Sequence, residues 1–304
     1  MAYEKKIIKN IDECAKIWEE FSPKKSLYDL WEYRFCFWDV YRFEPHFILL
    51  KNKTENVGLL PLWYIPENKK YYWFGDVGDE FNWQEGNDFW VKDESVMDEL
   101  IKCLPESVLL TSITEDTAKN LEKFGGAKEG EPKYVLDLTG FKTIEDYLQS
   151  LDQKKRGNLR RDQRAVEALN PIVNSDRTED FDKLIKFNME RFQTSPFKDV
   201  RLINVFKKII DIAGSAPFKK RIISVDINGE TVGVDLIFIY NHIYYPLLTG
   251  AQPMKYSGLG HYLNMLDIKD ALDLGMEKMD FAEDSADSYK GKLFQKTQLY
   301  YFSK

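Results

Sequence analysis

The segment Tyr244–Gly260, Y-Y-P-L-L-T-G-A-Q-P-M-K-Y-S-G-L-G, constrains this chain more than any other. An apolar run ends, a loop follows, and Lys255-x-x-Gly258-x-Gly260 opens a helix. Glycines lack Cβ, so main chain there can come close to a ligand. The unpaired N–H groups of a helix start point toward an anion, and the helix dipole adds to the attraction. The loop Lys255, Ser257, Gly258, Leu259 and Gly260 therefore suits a pyrophosphate. An ordinary glycine-rich turn before a helix would use the same residues.

The flanks supply the context. His261–Leu272 has apolar residues at helical spacing, and Gly275 gives a stop. Lys278–Ala282 reads as a short strand. Ahead of the segment, Arg221–Asp226 and Thr231–Tyr240 read as strands joined by a turn at Asn228-Gly229. The order is hairpin, strand, anion loop, helix, strand.

The two halves look like weak copies. Phe47–Leu50, Asn56–Trp63 and Tyr71–Gly75 repeat the pattern of Ile222–Val225, Glu230–Ile237 and Tyr244–Gly250: strand, turn, strand with Val-Gly, turn, aromatic strand, glycine. This implies duplication of one α/β unit, although short apolar strands also recur by chance. The first copy has Asp76–Asn87 where the second has its glycine loop. Helices are expected over Ile11–Phe21, Leu27–Tyr41, Ser95–Cys103, Thr114–Phe124, Asp180–Phe192 and Arg201–Ala213. Ile144–Leu169 reads as one long helix or as two, interrupted near Gly157. Lys133–Leu138 is expected to be a strand. The predicted class is α/β with mixed sheets, in two domains over 1–140 and 141–304.

With 304 residues, of which 43% are hydrophobic and 14% aromatic, the chain has material for two cores. No apolar stretch reaches membrane-spanning length. Met1–Asn10 lacks the apolar core of a signal peptide, so a cytoplasmic protein is expected. Cys14, Cys36 and Cys103 have no metal spacing and read as reduced thiols, and His46, His242 and His261 are dispersed. No metal is expected. A net charge of −7 argues against general nucleic-acid binding. A local exception is Lys154–Arg164, with six cations and one acid in eleven positions. It reads either as a solvated helix face or as a docking surface for a phosphate-bearing substrate, with Lys155 and Arg160 as candidate contacts.

The hairpin–strand–loop–helix order resembles the GNAT acyltransferase superfamily, with Lys255 where Arg or Gln is usual. The tandem plan is similar to the FemAB-like and CelD/BcsL-like branch, which carries two GNAT-type folds in one chain. Gly58-Leu59-Leu60-Pro61-Leu62 resembles the first-half strand of that branch. Lys154–Arg161 resembles its basic connecting helix. Asp280-Phe281-Ala282…Tyr289-Lys290-x-Lys292-x-Phe294 resembles its D-F-G…Y-K-x-x-F terminus, with Ala282 in place of glycine. The resemblance implies two tandem GNAT-like domains and acyl transfer to an amine, with acyl-CoA, acetyl-CoA foremost, as donor. The acceptor would be an amine of a sugar, amino acid or envelope precursor. Charged tRNA is the alternative donor, as in the Fem branch, and a non-catalytic binding protein of envelope synthesis is the remaining reading.

No Ser-His-Asp or Cys-His pattern is visible, so direct attack by the acceptor is the economical mechanism. The attacking amine must lose a proton, and the carbonyl oxygen must be stabilised. The family-like strand end implies that main chain at Leu248–Gly250 polarises the carbonyl. Asp280 and Glu283 are candidate bases at the end of the last strand, Tyr289 a candidate acid, and Lys290 a candidate oxyanion partner. A solvated acidic loop, a core aromatic and a surface lysine are the plain alternatives. Asp235 lies inside an apolar strand and must face outward or serve a function, because a buried carboxylate is costly. Asp76, Asn82 and Trp83 mix acid, amide and aromatic as a polar-acceptor site would, although they also fit a core or lid.

Overall fold

Two-residue turns set the register of the central meander. Asn228 and Gly229 have φ of 52° and 79°, and Asn241 and His242 have 49° and 58°. Positive φ at both central positions gives turns whose twist matches that of the flanking strands.

The computed structural model describes residues 3–78, 83–252 and 254–304. The chain forms two compact units. The first comprises Met1–Pro132, Asn204–Ile209 and Gln298–Lys304; the second comprises Lys133–Ile203 and Ile210–Thr297. In chain order the first unit contributes β1 (Glu4–Ile8), α1 (Ile11–Phe21), α2 (Trp31–Tyr41), β2 (Glu44–Lys51), β3 (Asn56–Ile65) and β4 (Lys70–Trp73). It continues through β5 (Trp90–Val91), α3 (Met97–Lys102), β6 (Leu109–Ile113), α4 (Glu115–Asn120) and β7 (Lys128–Glu129). Next come β8 (Lys133–Asp137), α5 (Ile144–Ser150), α6 (Gln153–Glu167), β9 (Ile172–Ser175), α7 (Phe181–Arg191), α8 (Val200–Ile212) and β10 (Lys219–Ile227). Then β11 (Glu230–Tyr240), β12 (Ile243–Ala251), α9 (Leu259–Asp273), β13 (Lys278–Glu283) and β14 (Gln295–Thr297) precede a last strand of the first unit, β15 (Tyr300–Ser303).

In the first unit the sheet order is β1-β2-β3-β4, with β5 also on β3, and a smaller sheet runs β6-β15-β7. Strand β3 is buried from Val57 through Trp63. Its Leu60 and Leu62 join Ile48, Trp73, Leu100, Leu110 and Phe302 in one core. Cys14 and Cys36 are unpaired, and burial pushes both thiols up to about 12.

The second unit is a mixed seven-stranded sheet, β14-β8-β13-β12-β11-β10-β9. Strand β8, which a cut at residue 140 assigns to the first half, pairs here with β13 and β14. Every pair is antiparallel except β12–β13. The expected interruption near Gly157 falls elsewhere. Asp152 caps α6 by accepting from Lys155 N at 2.8 Å, so α5 ends at Ser150 and Gly157 stays inside α6. No helix among the described residues is long and apolar enough to cross a membrane.

Candidate functional site

The one parallel pairing of the second sheet is short. Ile243 pairs with Lys278 and Tyr244 with Met279, after which β12 and β13 part. Local sequence drives each strand away. In β12 the register against β11 shifts between Leu248 and Pro246, leaving Leu247 as an extra residue. Such a bulge bends its strand. Pro246 cannot donate to any ladder. In β13 the register slips between Asp280 and Glu283, where Ala282 takes φ 59°. That left-handed value explains why glycine is the usual residue at this place. Among the described residues no ladder pair with β13 follows on β12 from Pro246 to Ala251, a stretch that carries Leu248 and Gly250. An open edge receives an extended ligand as an added strand. On the sheet face, a Cβ at Gly250 would come within 2.7 Å of Leu184 Cα. The missing side chain there serves the approach of α7.

Beyond β12 the chain turns into α9. Gly258 is the N-cap, with φ 84° and no side-chain capping bond. A Cβ on Gly258 would lie 2.8 Å from Asp162 Cβ, whereas one on Gly260 would meet nothing within 4 Å. The first turn of this fifteen-residue helix therefore has open space beside its N–H groups. Leu259 is fully buried against Val225, Val232 and Ala251, so only its main chain belongs to the loop. Ser257 is exposed in the turn. Lys255 pairs with Glu230 at 3.1 Å and rests over the Tyr256 ring.

Helix α6 packs along α9 through Leu159, Asp162 and Val166, at i, i+3 and i+7. Asp162 Oδ2 lies 2.7 Å from His261 Nδ1. Burial opposes the charge of Asp162, but His261 and Arg161 outweigh it and hold the carboxyl below its usual range. The basic residues occupy the other faces. Arg160 pairs with Glu145, and Lys155 with Asp152 at 3.4 Å. Lys154, Arg161 and Arg164 are exposed. Exposed pairs of this kind are weak and exchange readily for phosphate.

The four residues expected to do chemistry in and after β13 are distributed as follows. Asp280 is buried and accepts from Lys133 Nζ at 2.7 Å and from Ala282 N at 3.2 Å, tying β13 to β8. Lys290 Nζ donates to Phe281 O at 2.9 Å and pairs with Asp284 at 3.1 Å, closing the turn at Tyr289–Lys292. Glu283 is half-buried opposite Lys133. Tyr289 reaches α9: its hydroxyl accepts from Asn264 Nδ2 at 2.8 Å, and its ring meets His261 edge-on. The structure therefore brings Tyr289 to the helix that carries the glycine loop and gives Asp280 and Lys290 intramolecular partners.

Asp235 faces inward, which removes the outward-facing reading. It is fully buried, as is Asp267 of α9. Both oxygens of Asp235 and Oδ1 of Asp267 lack a well-formed hydrogen bond among the described residues. The polar groups Asp235 faces are the Thr249 hydroxyl and the Asp267 carboxyl. Burial pushes Asp235 up to about 7, and burial followed by the Asp235 charge pushes Asp267 well up. Sequence reading missed Asp267. Its signal was an acid at an interior position of α9, in register with Leu263 and Ala271.

The other expected contacts lie in the first unit. Asp76 is fully buried and accepts from Thr111 Oγ1 at 2.6 Å, so it is a structural acid rather than an exposed ligand group. Trp83 is half-buried, edge-on to Phe206. Asn82 lies outside the described residues. Among the described residues no group of His, Cys, Asp and Glu could hold a metal.

Residues 153–291 match the family described as acetyltransferase (GNAT) domain. This stretch is a GNAT-type N-acyltransferase domain, and it contains the β12/β13 splay and the glycine loop. No curated protein matches the chain in sequence. Solved structures share the fold across nearly the whole length. FemX has 12% identity and a TM-score of 0.58, covering 99% of this chain and 97% of that one. L-PGS from Bacillus licheniformis has 13% identity and 0.58, covering 96% and 91%. A tandem GNAT protein from the clavulanic acid biosynthesis pathway has 10% identity and 0.56, covering 99% and 97%. The fold is thus mixed α/β of the tandem GNAT kind.

Proposed function

We propose that this protein moves an acyl group from acyl-CoA, acetyl-CoA foremost, to an amine of a sugar, amino acid or envelope precursor in the cytoplasm. The observation that carries the reading is the open edge of β12 leading into the uncapped first turn of α9. The pantetheine arm lies along Pro246–Ala251 as an added strand, and the pyrophosphate sits on the N–H groups of Gly258–Gly260. Main-chain N–H groups at Leu248–Gly250 meet the carbonyl oxygen as charge develops on it. The amine attacks directly, and the thiol leaves. Tyr289 stands beside α9 with its hydroxyl held by Asn264, while Lys290 and Asp280 hold the strand end in shape. Acetyl-CoA at a hundredfold excess over its Kd should stabilise the protein by about 2.7 kcal/mol. Gly260→Val, entering open space, should fold normally and lose that shift. An unchanged shift in this variant sinks the assignment.

A second reading replaces acyl-CoA by aminoacyl-tRNA. The exposed cations of α6 favour it, since the helix packs directly against the start of α9. Its phosphate contacts predict tRNA affinity that falls steeply with salt and weakens when Lys155, Arg160 and Arg161 are changed to Glu. Absence of tRNA binding at low salt eliminates this donor.

A further inference from the structure

We propose that Asp235 and Asp267 hold one proton between them and take up the proton lost by the attacking amine, relayed through the Thr249 hydroxyl. This rests on the acyl-transfer reading above and supplies its proton acceptor.

Two observations carry it. First, the pair is buried without compensation: both carboxyls are 0–1% exposed, three of their four oxygens lack a well-formed hydrogen bond, and no ion pair reaches them among the described residues. Two carboxylates cannot both stay charged under these conditions, so the pair titrates as a unit. The charge that remains is costly. Second, Thr249 gives the pair a way out. Asp235 stands directly opposite Thr249 in the β11–β12 ladder, so the two side chains share a face. Thr249 is exposed, two residues beyond the bulge at Leu247, on the edge that β13 leaves open.

The surrounding titratable groups are otherwise engaged. Arg221 pairs with Asp270 through two contacts of 2.5 and 2.6 Å, and Tyr244, which also faces Asp267, donates to Asp270 at 3.1 Å. Tyr289 is bound to Asn264, and His261 to Asp162. The singly protonated pair is therefore the acceptor that Thr249 joins to the open edge.

The step balances. The amine nitrogen bonds to the acyl carbon and the C–S bond breaks. The nitrogen's proton passes to Thr249 Oγ1 as that hydroxyl gives its own to Asp235. The pair then returns one proton along the same path to the departing thiolate, which leaves as a thiol.

The test uses the full chain with acetyl-CoA and glucosamine, reading thiol release against pH. Asp235→Asn and Thr249→Val should each lower kcat by on the order of a hundredfold with little change in KM for acetyl-CoA. Both should remove the acidic limb of the pH profile, while Thr249→Ser keeps it. A wild-type profile in Asp235→Asn overturns the proposal. Infrared spectroscopy supplies a measurement free of turnover. At about pH 8, well above the ordinary carboxylate range, the wild type should show the C=O stretch of a buried carboxylic acid, absent in Asp267→Asn. If thiol release is absent in the wild type, the acyl-CoA reading fails and the infrared band decides on the pair: its presence supports the shared proton, its absence overturns it.

Discussion

The same divergence of strands occurs in both units, with opposite outcomes. In the first unit β4 meets the start of β6 through a parallel bridge, Tyr71 with Val108, as Tyr244 meets Met279 in the second. Each following strand carries a non-glycine residue at positive φ, Ser112 at 48° and Ala282 at 59°. In the first unit the chain fills the gap with its own side chains. Asn87 N donates to Ser112 O and Asn87 Nδ2 to Thr111 O, while Thr111 Oγ1 binds Asp76. Arg34 fixes this insert by donating to Asn87 Oδ1 at 2.7 Å and to Phe74 O at 2.8 Å. In the second unit β12 is followed by the glycine loop, and no equivalent insert pairs with it among the described residues. One arrangement thus serves as internal structure where a polar insert satisfies it, and as a binding edge where it is left open.

The contrast can be broken most forcefully at Arg34. It is 3% exposed, and burial first of all pulls its guanidinium down to about 10, still charged at neutral pH. Arg34→Met leaves Asn87 Oδ1 and the Phe74 and Tyr28 carbonyls without this donor, and Asp29 and Asp76 without its charge. A loss of about 3–5 kcal/mol is expected in denaturant titrations, and a loss below 1 would deny the insert its structural role. A matching change in the second unit is Gly258→Ala, which forces a left-handed alanine and presses Cβ onto Asp162. It should cost about 1–2 kcal/mol for the backbone alone and also abolish the acetyl-CoA thermal shift. Retention of both would mean that the loop adapts and the anion site lies elsewhere.

Asp267→Asn should act in the opposite direction. The folded-state pKa values of Asp235 and Asp267 are raised, so their contribution is favourable below the ordinary carboxylate range and is lost as pH rises through the raised values. The variant should therefore gain roughly 1–3 kcal/mol over wild type at neutral pH, with the gap opening above about pH 4. A gap that closes with rising pH would mean the buried pair stabilises the fold in its charged form. The smallest change is Ala282→Gly, which relieves a left-handed alanine and should add about 1 kcal/mol, seen as a modest rise in Tm. No gain would show that lost chain entropy offsets the relief.

Much of this was legible because it is local. Period-2 runs bounded by Asn228-Gly229 determined β10 and β11, Asn10 fixed the start of α1, and the spacing of Lys255, Gly258 and Gly260 marked the turn into α9. Asp235 stood out because charge inside an apolar strand is costly wherever it folds. The sequence also held the departure at Ala282, whose strained φ is a backbone property of that one position.

The partners of these groups belong to tertiary structure alone. Asp280 looks like an exposed base in sequence, yet Lys133 binds it from 147 positions away. Asp235 acquires its character from Asp267 on α9, Gly258 from Asp162 on α6, and Asp76 from Thr111 on β6. A residue's type sets what it can donate, accept or ionise. Whether it does so depends on which remote group the fold sets against it and on how much water remains between them.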